Sequence, residues 1–277
     1  MLGIKTMQAS AKVSFTDIIN CLRFFVKSLP RRIAFPGRKC VLGRTACLGN
    51  DVISILDPSA CFFNMQKGRV DYLSDVVSDP KLSASPWDVL QFLQRKDIFS
   101  LIIQQSSPLW FKSTPPAALF MDSYSELTDQ LFVHRRDNWR FLCNYSDLDH
   151  SREFKEQFLP AGLLPCDDLG MQYQRFFLFV RKMWGDIPIV FMHFPVKLDK
   201  REKFKLRYQA IYKAISELQG RFQPFYSLAI DETVVDWPEV KVPGLEEFPY
   251  HFNLKTYQAF AEKVRATGAL NPDGGMR

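Results

Sequence analysis

The sequence predicts an α/β fold, a three-layer sandwich in which helices cover both faces of a central, mainly parallel sheet. The chain has 277 residues, of which 47% are hydrophobic and 14% aromatic, enough apolar material to bury a full core. Short, continuous apolar runs alternate with segments of helical periodicity. Such runs are typical of strands buried on both faces, and their alternation with helices indicates a parallel sheet.

Six apolar runs predict the strands of this sheet. They are residues 39–43, 52–56, 99–104, 117–122, 188–193 and 224–230. Each is short and is bounded by polar or turn-forming residues, as expected for a buried strand.

Three segments show helical periodicity. The helix predicted near residue 204 places five apolar residues on one face: Phe204, Tyr208, Ile211, Ile215 and Leu218. Residues 254–264 predict a last helix, and Asn253 is well placed as its N-cap. Residues 15–29 predict a first helix that Pro30 ends.

The positive charge of the chain is concentrated at its start. The net charge is +6, and residues 1–40 hold eight Lys and Arg against Asp17 alone. No nucleic-acid reader motif accompanies this charge, so we expect no nucleic-acid partner. The basic helix over 15–29 has two interpretations: it packs on the body, or it lies on an anionic membrane surface. The second predicts peripheral membrane contact through residues 1–37.

The chain is expected to hold one domain and two extensions. Residues 1–37 form a basic amphipathic arm, 38–266 an α/β domain, and 267–277 a flexible, Gly-rich tail. The mixed composition around 135–172 indicates an insertion or a lid within the domain.

Composition also favours a cytoplasmic protein, at most peripheral at the inner face of the membrane. No run reaches the roughly 18 apolar residues that a spanning helix needs. The six cysteines form no C-x-x-C pair, which favours reduced thiols. No metal is expected, because no His, Cys and carboxylate cluster has zinc-site spacing. The Gly-rich phosphate-binding motifs are also absent from the sequence.

Candidate functional residues follow the predicted strands. In doubly wound sheets, ligands bind beyond the carboxyl ends of the strands. This rule selects Thr45, Cys47, Asp122, Ser123 and His193. His251 joins them if the loop before the last helix folds over the same edge.

Three of these segments resemble the SGNH/GDSL-type hydrolases and acyltransferases. They are residues 120–125 (FMDSYS), the strand 188–193 with Pro195 after it, and 251–253 (HFN) followed by Tyr257 and Ala261. The order of Gly43 to Cys47, Asp122 to Glu126 and Pro249 to Phe252 is also similar to an uncharacterised SGNH-like family from bacterial capsule and other surface-polysaccharide loci. The resemblance covers roughly residues 38–265 and implies an SGNH/flavodoxin-like sandwich.

Two registers with that family remain open. In one, Asp122 and Ser123 occupy the GDS motif, and Ser123 is the nucleophile. In the other, residues 43–45 occupy the first block, 122–126 the third and His251 the last. We prefer the second register, because the strand at 188–193 then follows the third block through one crossover.

The preferred register departs from the family pattern at two positions. No serine occupies the nucleophile position, so the candidates are the Thr45 hydroxyl and the Cys47 thiol, with His251 as the base. Phe248 stands where the orienting acid is usual. Glu246, Glu247, Asp236 or a backbone carbonyl must then orient the imidazole.

Most of these residues also have a structural interpretation. Thr45 is then a helix cap, Cys47 a small buried hydrophobe, and Asp122 a cap for the segment that follows it. Ser123 is then a turn former, and His193, on its apolar strand, a satisfied core histidine. A His251 flanked by Pro, Tyr and Phe has no obvious packing role.

The resemblance implies an O-acyl transferase or esterase, most plausibly for O-acetyl groups, acting on a surface polysaccharide or its precursor. Acyl-CoA is then the donor if the reaction is a transfer. Gly43, Arg44 and Tyr250 are expected to contact the carbohydrate or acyl-ester substrate, while Ser123 or Asp122 helps to hold the oxyanion or the acceptor. The alternatives are a non-catalytic carbohydrate-binding or scaffold protein and a peripheral membrane protein of envelope assembly.

Overall fold

A computed structural model describes residues 40–106, 115–239 and 249–270. The predicted helix at 15–29, the arm 1–37 and most of the tail lie outside the described residues. Eight strands form in the described ranges: β1 (Cys40–Arg44), β2 (Cys61–Asn64), β3 (Ala118–Asp122), β4 (Asp129–His134), β5 (Arg140–Asn144), β6 (Phe158–Gly162), β7 (Ile189–Met192) and β8 (Phe225–Leu228).

The same ranges contain nine α-helices. They are α1 (Cys47–Leu56), α2 (Val70–Ser78), α3 (Pro86–Leu90), α4 (Phe99–Gln105), α5 (Tyr124–Thr128), α6 (Arg152–Gln157), α7 (Leu169–Trp184), α8 (Glu202–Gln219) and α9 (Leu254–Thr267).

The central sheet has five strands in the order β2-β1-β3-β7-β8, and every neighbouring pair is parallel. Helix α1 packs against α9, while α7 packs against both α2 and α8. The fold is therefore α/β with a parallel sheet flanked by helices, as the sequence predicts. All five residues of β3 are buried, which explains why this strand reads as one apolar run.

Two of the predicted strands are helices. Residues 52–56 belong to α1 and residues 99–104 to α4. Both runs are short and apolar, and a short apolar run has the same composition in a buried helix as in a buried strand. The sequence analysis did not predict the edge strand β2. This strand has only four residues between turn-forming residues, too few to show a clear pattern.

The last helix follows the sequence prediction closely. It starts at Leu254, and the side chain of its N-cap Asn253 accepts a hydrogen bond from the Thr256 backbone N–H at 3.0 Å. It ends at Thr267, before Gly268 in the left-handed conformation with φ 68°. This start fixes the preceding residues 249–252 at the sheet edge.

A second, antiparallel sheet is formed by three strands between residues 129 and 162, and its strand β4 precedes the region around 135–172. Its strand order is β5-β4-β6. It has its own hydrophobic cluster, in which the rings of Phe132, Phe141, Phe154 and Phe158 pack against one another. This sheet and its core overlap the expected insertion or lid, which stays a prediction, but both include residues before 135.

A buried ion pair joins β1 to the segment after β3. The Arg44 guanidinium contacts both Glu126 carboxylate oxygens at 3.0 and 2.9 Å, and both side chains are almost completely buried. The Val70 backbone N–H donates to the same carboxylate at 3.0 Å. Arg44 also donates to the backbone oxygens of Asp122 at 2.6 Å and Gly68 at 3.2 Å. These contacts satisfy two charges that would otherwise be costly to bury.

Removing one partner of this pair is predicted to destabilise the fold strongly. Glu126→Gln keeps the size of the side chain but leaves the Arg44 charge buried without a counter-ion, a cost of about 3–5 kcal/mol. Urea unfolding followed by circular dichroism measures the change.

A matched control is available on the surface. Glu156 pairs with Arg152 one helical turn away, and the two side chains are 61% and 93% exposed. Glu156→Gln should change the free energy of unfolding by less than about 0.5 kcal/mol. Equal effects of the two substitutions would contradict the role given to Arg44 and Glu126.

Candidate functional site

The candidate site lies at the carboxyl edge of the parallel sheet. Strands β1 and β3 are neighbours there, so the residues after Arg44 and the residues from Asp122 onward share one edge. Helix α1 begins at this edge, and the 249–252 segment reaches it because α9 packs on α1. Two segments far apart in the sequence therefore meet, as the sequence analysis required.

Asp122 shapes the start of α1. One carboxylate oxygen accepts the Ala46 N–H at 2.7 Å, and the other accepts the Tyr124 N–H at 3.0 Å. Burial raises the pKa of Asp122 to about 7, against the opposing effect of the nearby Arg44 charge. The structure thus confirms the capping interpretation of Asp122. Both oxygens of its carboxylate accept hydrogen bonds from backbone N–H groups of the protein.

Thr45 is part of the turn between β1 and α1. Its backbone N–H and its hydroxyl both donate to the Asn64 side-chain oxygen, at 3.0 and 3.1 Å. The Asn64 amide donates back to the Thr45 backbone oxygen at 2.9 Å. Ala46, not Thr45, is the N-cap of α1. The Thr45 side chain is buried, so its hydroxyl lies inside the turn and away from solvent.

Two glycines flank this turn, Gly43 in β1 and Gly49 in α1, and each lies where a side chain would meet a neighbour. A Cβ at Gly43 would lie 2.3 Å from the Phe62 ring, and a Cβ at Gly49 would lie 1.9 Å from the Thr45 hydroxyl oxygen. Gly43 therefore lets β2 pack closely beside β1, and Gly49 makes room for Thr45. The sequence analysis expected Gly43 at the substrate, whereas its close contacts are with protein atoms.

Three further candidates make internal contacts. The Ser123 hydroxyl accepts the Phe194 N–H at 3.0 Å and is buried. Arg44, expected at the substrate, is buried in the ion pair with Glu126 and does not reach the solvent side of the edge. Tyr250 is also buried, and its hydroxyl donates to Asp199.

Cys47 is exposed, which contradicts its interpretation as a small buried hydrophobe. It is the first residue of α1, where the unpaired N–H groups of a helix favour negative charge. Local desolvation, followed by the Asp51 and Asp122 carboxylates, nevertheless raises the pKa of Cys47 above its usual value. The group is therefore a thiol at neutral pH.

His251 and Asp51 interact across the gap between the 249–252 segment and α1. Burial lowers the pKa of the half-buried His251 below 6.5, and the Asp51 charge opposes this shift. Burial raises the pKa of Asp51, while a hydrogen bond from Tyr257 and the charge of His251 oppose that shift. The imidazole is therefore mainly neutral at pH 7 and able to accept a proton.

Asp51 is a candidate residue that the sequence analysis missed. It follows Cys47 by four residues, so both side chains lie on one face of α1. The acids expected to orient His251 were Glu246 and Glu247, which lie outside the described residues, and Asp236, whose backbone oxygen instead accepts the Asn253 N–H at 3.0 Å. Only the helical period after Cys47 signals Asp51 in the sequence.

A second histidine, His193, contacts a hydroxyl group at the ends of β7 and β8. His193 Nε2 lies 2.8 Å from the Ser227 hydroxyl, and the ring packs near Tyr212 with 4.5 Å between centroids. Burial lowers the pKa of His193 to about 4, and its Nδ1 atom has no hydrogen-bond partner. Within the ranges that the structure describes, no carboxylate acts on this ring, so His193 is a buried core histidine with one satisfied nitrogen rather than two.

The structure therefore unites part of the predicted site. Asp51 interacts with both Cys47 and His251, whereas Thr45 and Ser123 are held in hydrogen bonds of their own. Among the described residues, no group of three or more His, Cys, Asp or Glu side chains is arranged to hold a metal ion. The helices in the same ranges are too short or too polar to cross a membrane.

Replacing Asp51 should make Cys47 more reactive. Asp51→Asn removes a negative charge that disfavours the thiolate, so the pKa of Cys47 falls and alkylation by iodoacetamide at mildly alkaline pH becomes roughly threefold faster. Mass spectrometry of each cysteine gives the rate. Exposed Cys166 is the internal reference and should react equally in both proteins. If the ratio of the Cys47 rate to the Cys166 rate is the same in both proteins, Asp51 does not influence the pKa of Cys47.

Comparison with known proteins gives one distant structural likeness. No protein-family model matches the sequence, and no curated protein matches it. The fold is similar to that of "Salicylyl-Acyltransferase SsfX3 from a Tetracycline Biosynthetic Pathway", at 11% identity and a TM-score of 0.36. The match covers 87% of this chain and 57% of that structure.

Proposed function

We propose that this protein is an acyl-group hydrolase or acyltransferase in which Cys47 is the nucleophile and His251 the base, with Asp51 as the carboxylate that orients His251. The observation that carries the proposal is the interaction of Asp51 with both other groups at the carboxyl edge of the sheet. A nucleophile, a base and an orienting acid form the general pattern of covalent acyl transfer.

Exposure and hydrogen bonding favour Cys47 over the hydroxyl candidates. The Thr45 hydroxyl is buried and donates to Asn64, and the Ser123 hydroxyl is buried beside the Phe194 N–H. The Cys47 side chain is open to solvent. A thiolate is also the stronger nucleophile, so loss of the family serine does not remove the chemistry.

The protonation states define the first step. Cys47 starts as a thiol and His251 as a neutral imidazole, so attack on the acyl carbonyl carbon transfers the thiol proton to His251. The unpaired N–H groups in the first turn of α1 are suited to stabilise the oxyanion. The bond to the leaving group then breaks, a carbon–oxygen bond in an ester or a carbon–sulfur bond in acyl-CoA, and the imidazolium gives its proton to the departing alkoxide or thiolate.

The second step decides between the two reaction types. Water attacks the Cys47 thioester in a hydrolase, while a sugar hydroxyl attacks it in a transferase. In both cases His251 takes the proton of the attacking group and returns it to the departing thiolate.

The substrate class rests on the resemblance to the SGNH-like proteins. It supports an O-acyl group, most plausibly O-acetyl, on a bacterial surface polysaccharide or its precursor. Acyl-CoA is the donor on the transferase route, and a free thiol nucleophile suits a reducing cytoplasm. Peripheral membrane contact through residues 1–37 is part of the same proposal.

A non-catalytic carbohydrate-binding or scaffold role is the second candidate. The observation that favours it is the raised pKa of Cys47, since two carboxylates disfavour its reactive thiolate form. In that case the sheet edge binds sugar without breaking a bond, and substitutions at Cys47 and His251 leave any background esterase activity unchanged.

Substitution at the nucleophile and at the base separates the two candidates. With p-nitrophenyl acetate, Cys47→Ala and His251→Ala should each lower kcat/KM at least about 100-fold. Trapping the acetyl group on Cys47 by mass spectrometry identifies the nucleophile directly.

Ser227→Ala is the matched control for this assay. It removes the hydroxyl that contacts His193, a histidine outside the proposed site. This variant should leave kcat/KM within roughly twofold of the wild-type value. Loss of activity in Ser227→Ala alone would move the reaction to the His193 pair and overturn the proposal.

The pH profile tests the base independently. Activity requires neutral His251, so it is lost only as the pH falls through the pKa of that group, and the acid limb of kcat/KM should lie below pH 6.5. Asp51→Asn removes a charge that raises this pKa, and the limb should move to still lower pH. An acid limb above neutral pH would exclude His251 as the base.

A further inference from the structure

The residues on either side of His251 are both held in place by side chains from other parts of the fold. Tyr250 precedes it and is buried, while Phe252 follows it and is buried as well. His251 itself is half-buried between them. The position of the imidazole therefore depends on how firmly these two neighbours are fixed.

Tyr250 is fixed by a buried carboxylate in the loop after β7. Its hydroxyl donates to Asp199, and Arg201 donates to the same hydroxyl at 2.9 Å. Arg201 also contacts Asp199 through its Nε and Nη2 atoms, at 2.9 and 2.8 Å. The three side chains form a closed set of hydrogen bonds at the sheet edge.

The pKa shifts of Asp199 and Tyr250 agree with a hydrogen bond from the Tyr250 hydroxyl to the Asp199 carboxylate. Burial alone would raise the pKa of Asp199, but hydrogen bonds from Arg201 and Tyr250 outweigh it and lower that pKa. Burial and the Asp199 carboxylate raise the pKa of Tyr250 well above its usual value. Asp199 is thus a carboxylate and Tyr250 a phenol throughout the neutral range, so the hydrogen bond keeps its direction.

Aromatic packing holds the Tyr250 ring from the other side. Its centroid lies 5.1 Å from that of Tyr124 and 5.6 Å from that of Phe194, both in edge-to-face geometry. Tyr250→Phe keeps these ring contacts and removes only the hydrogen bonds of the hydroxyl, which alone then no longer hold the segment. The hydrogen bond to Asp199 can be tested separately from the packing.

Phe252 is fixed through its backbone. Its N–H donates to the Tyr257 hydroxyl at 3.2 Å, and that hydroxyl in turn hydrogen bonds to Asp51. Through Tyr257, helix α9 thus links Phe252, the residue after His251, to the Asp51 carboxylate.

We propose that Asp199 is a positioning residue, which holds Tyr250 so that His251 stays close to Asp51. This inference rests on the proposed function for its catalytic meaning. It also replaces the expectation that Tyr250 binds substrate, because the Tyr250 hydroxyl is committed to Asp199 and Arg201 inside the protein.

The titration of His251 tests the inference without any turnover. Its imidazole signal, identified by its loss in His251→Ala, is followed by NMR against pH in the wild type and in Tyr250→Phe. Because burial is the main cause that lowers the pKa of His251, loosening the segment should raise that pKa towards its ordinary value. Asp51, Tyr257 and Cys47, the titratable groups around His251, are unchanged in this variant.

A double substitution shows whether Asp199 acts through Tyr250. Asp199→Ala should shift the titration as Tyr250→Phe does, and adding it to Tyr250→Phe should shift it no further. Tyr212→Phe, a substitution at a tyrosine 44% exposed on α8, is the control and should leave the titration unchanged. Additive shifts, or none in either folded single variant, would overturn the inference.

Steady-state kinetics separates this inference from the proposed function. If the enzyme is active, Tyr250→Phe should lower kcat roughly tenfold and leave KM unchanged, because the hydroxyl positions the base and does not touch the substrate. A rise in KM with kcat unchanged would restore Tyr250 as a substrate-binding residue. If wild type shows no esterase activity while the His251 shift is observed, the proposed function fails and the positioning role stands.

Discussion

The buried contact between Arg44 and Glu126 is the constraint on which the sheet edge depends. A guanidinium excluded from water must have all its charge compensated, and Glu126 with the backbone oxygens of Asp122 and Gly68 supplies that compensation. The same carboxylate holds the Val70 N–H at the start of α2. One ion pair thereby fixes the ends of β1 and β3 and the loop that leads into α2.

The candidate site is built on that fixed edge. Asp122, whose backbone oxygen accepts from Arg44, uses its side chain to hold Ala46, the N-cap of α1. Cys47 is the next residue. The ion pair therefore fixes the position of Cys47 through the short turn from Arg44 to Ala46. Helix α9, packed on α1, then brings His251 to the same place. In the proposed reaction, Cys47 and His251 are both neutral at rest, and charge separates between them only as the bond forms.

Much of the fold was readable in the sequence, because its central strands are continuous apolar runs. Strands β3 and β7 and the helices α8 and α9 follow the predicted positions closely. Residues 52–56 and 99–104 were misassigned because apolar composition alone does not distinguish a buried helix from a buried strand. Tertiary packing decides such segments.

The site was readable only in part. Position after a strand identified Cys47, and its loop context identified His251, but neither pattern shows which side chains are buried. Arg44 was expected at the substrate from the resemblance alone, and the sequence does not show that its partner is Glu126, 82 residues further along the chain. Asp51 was not singled out because residues 52–56 were predicted as a strand, which hides the helical spacing between Cys47 and Asp51. The close approach of Gly49 to the Thr45 hydroxyl also carries an evolutionary consequence, because any side chain at 49 would collide with that hydroxyl. A residue larger than glycine at 49 therefore requires a shift or a smaller side chain at 45, which couples the two positions.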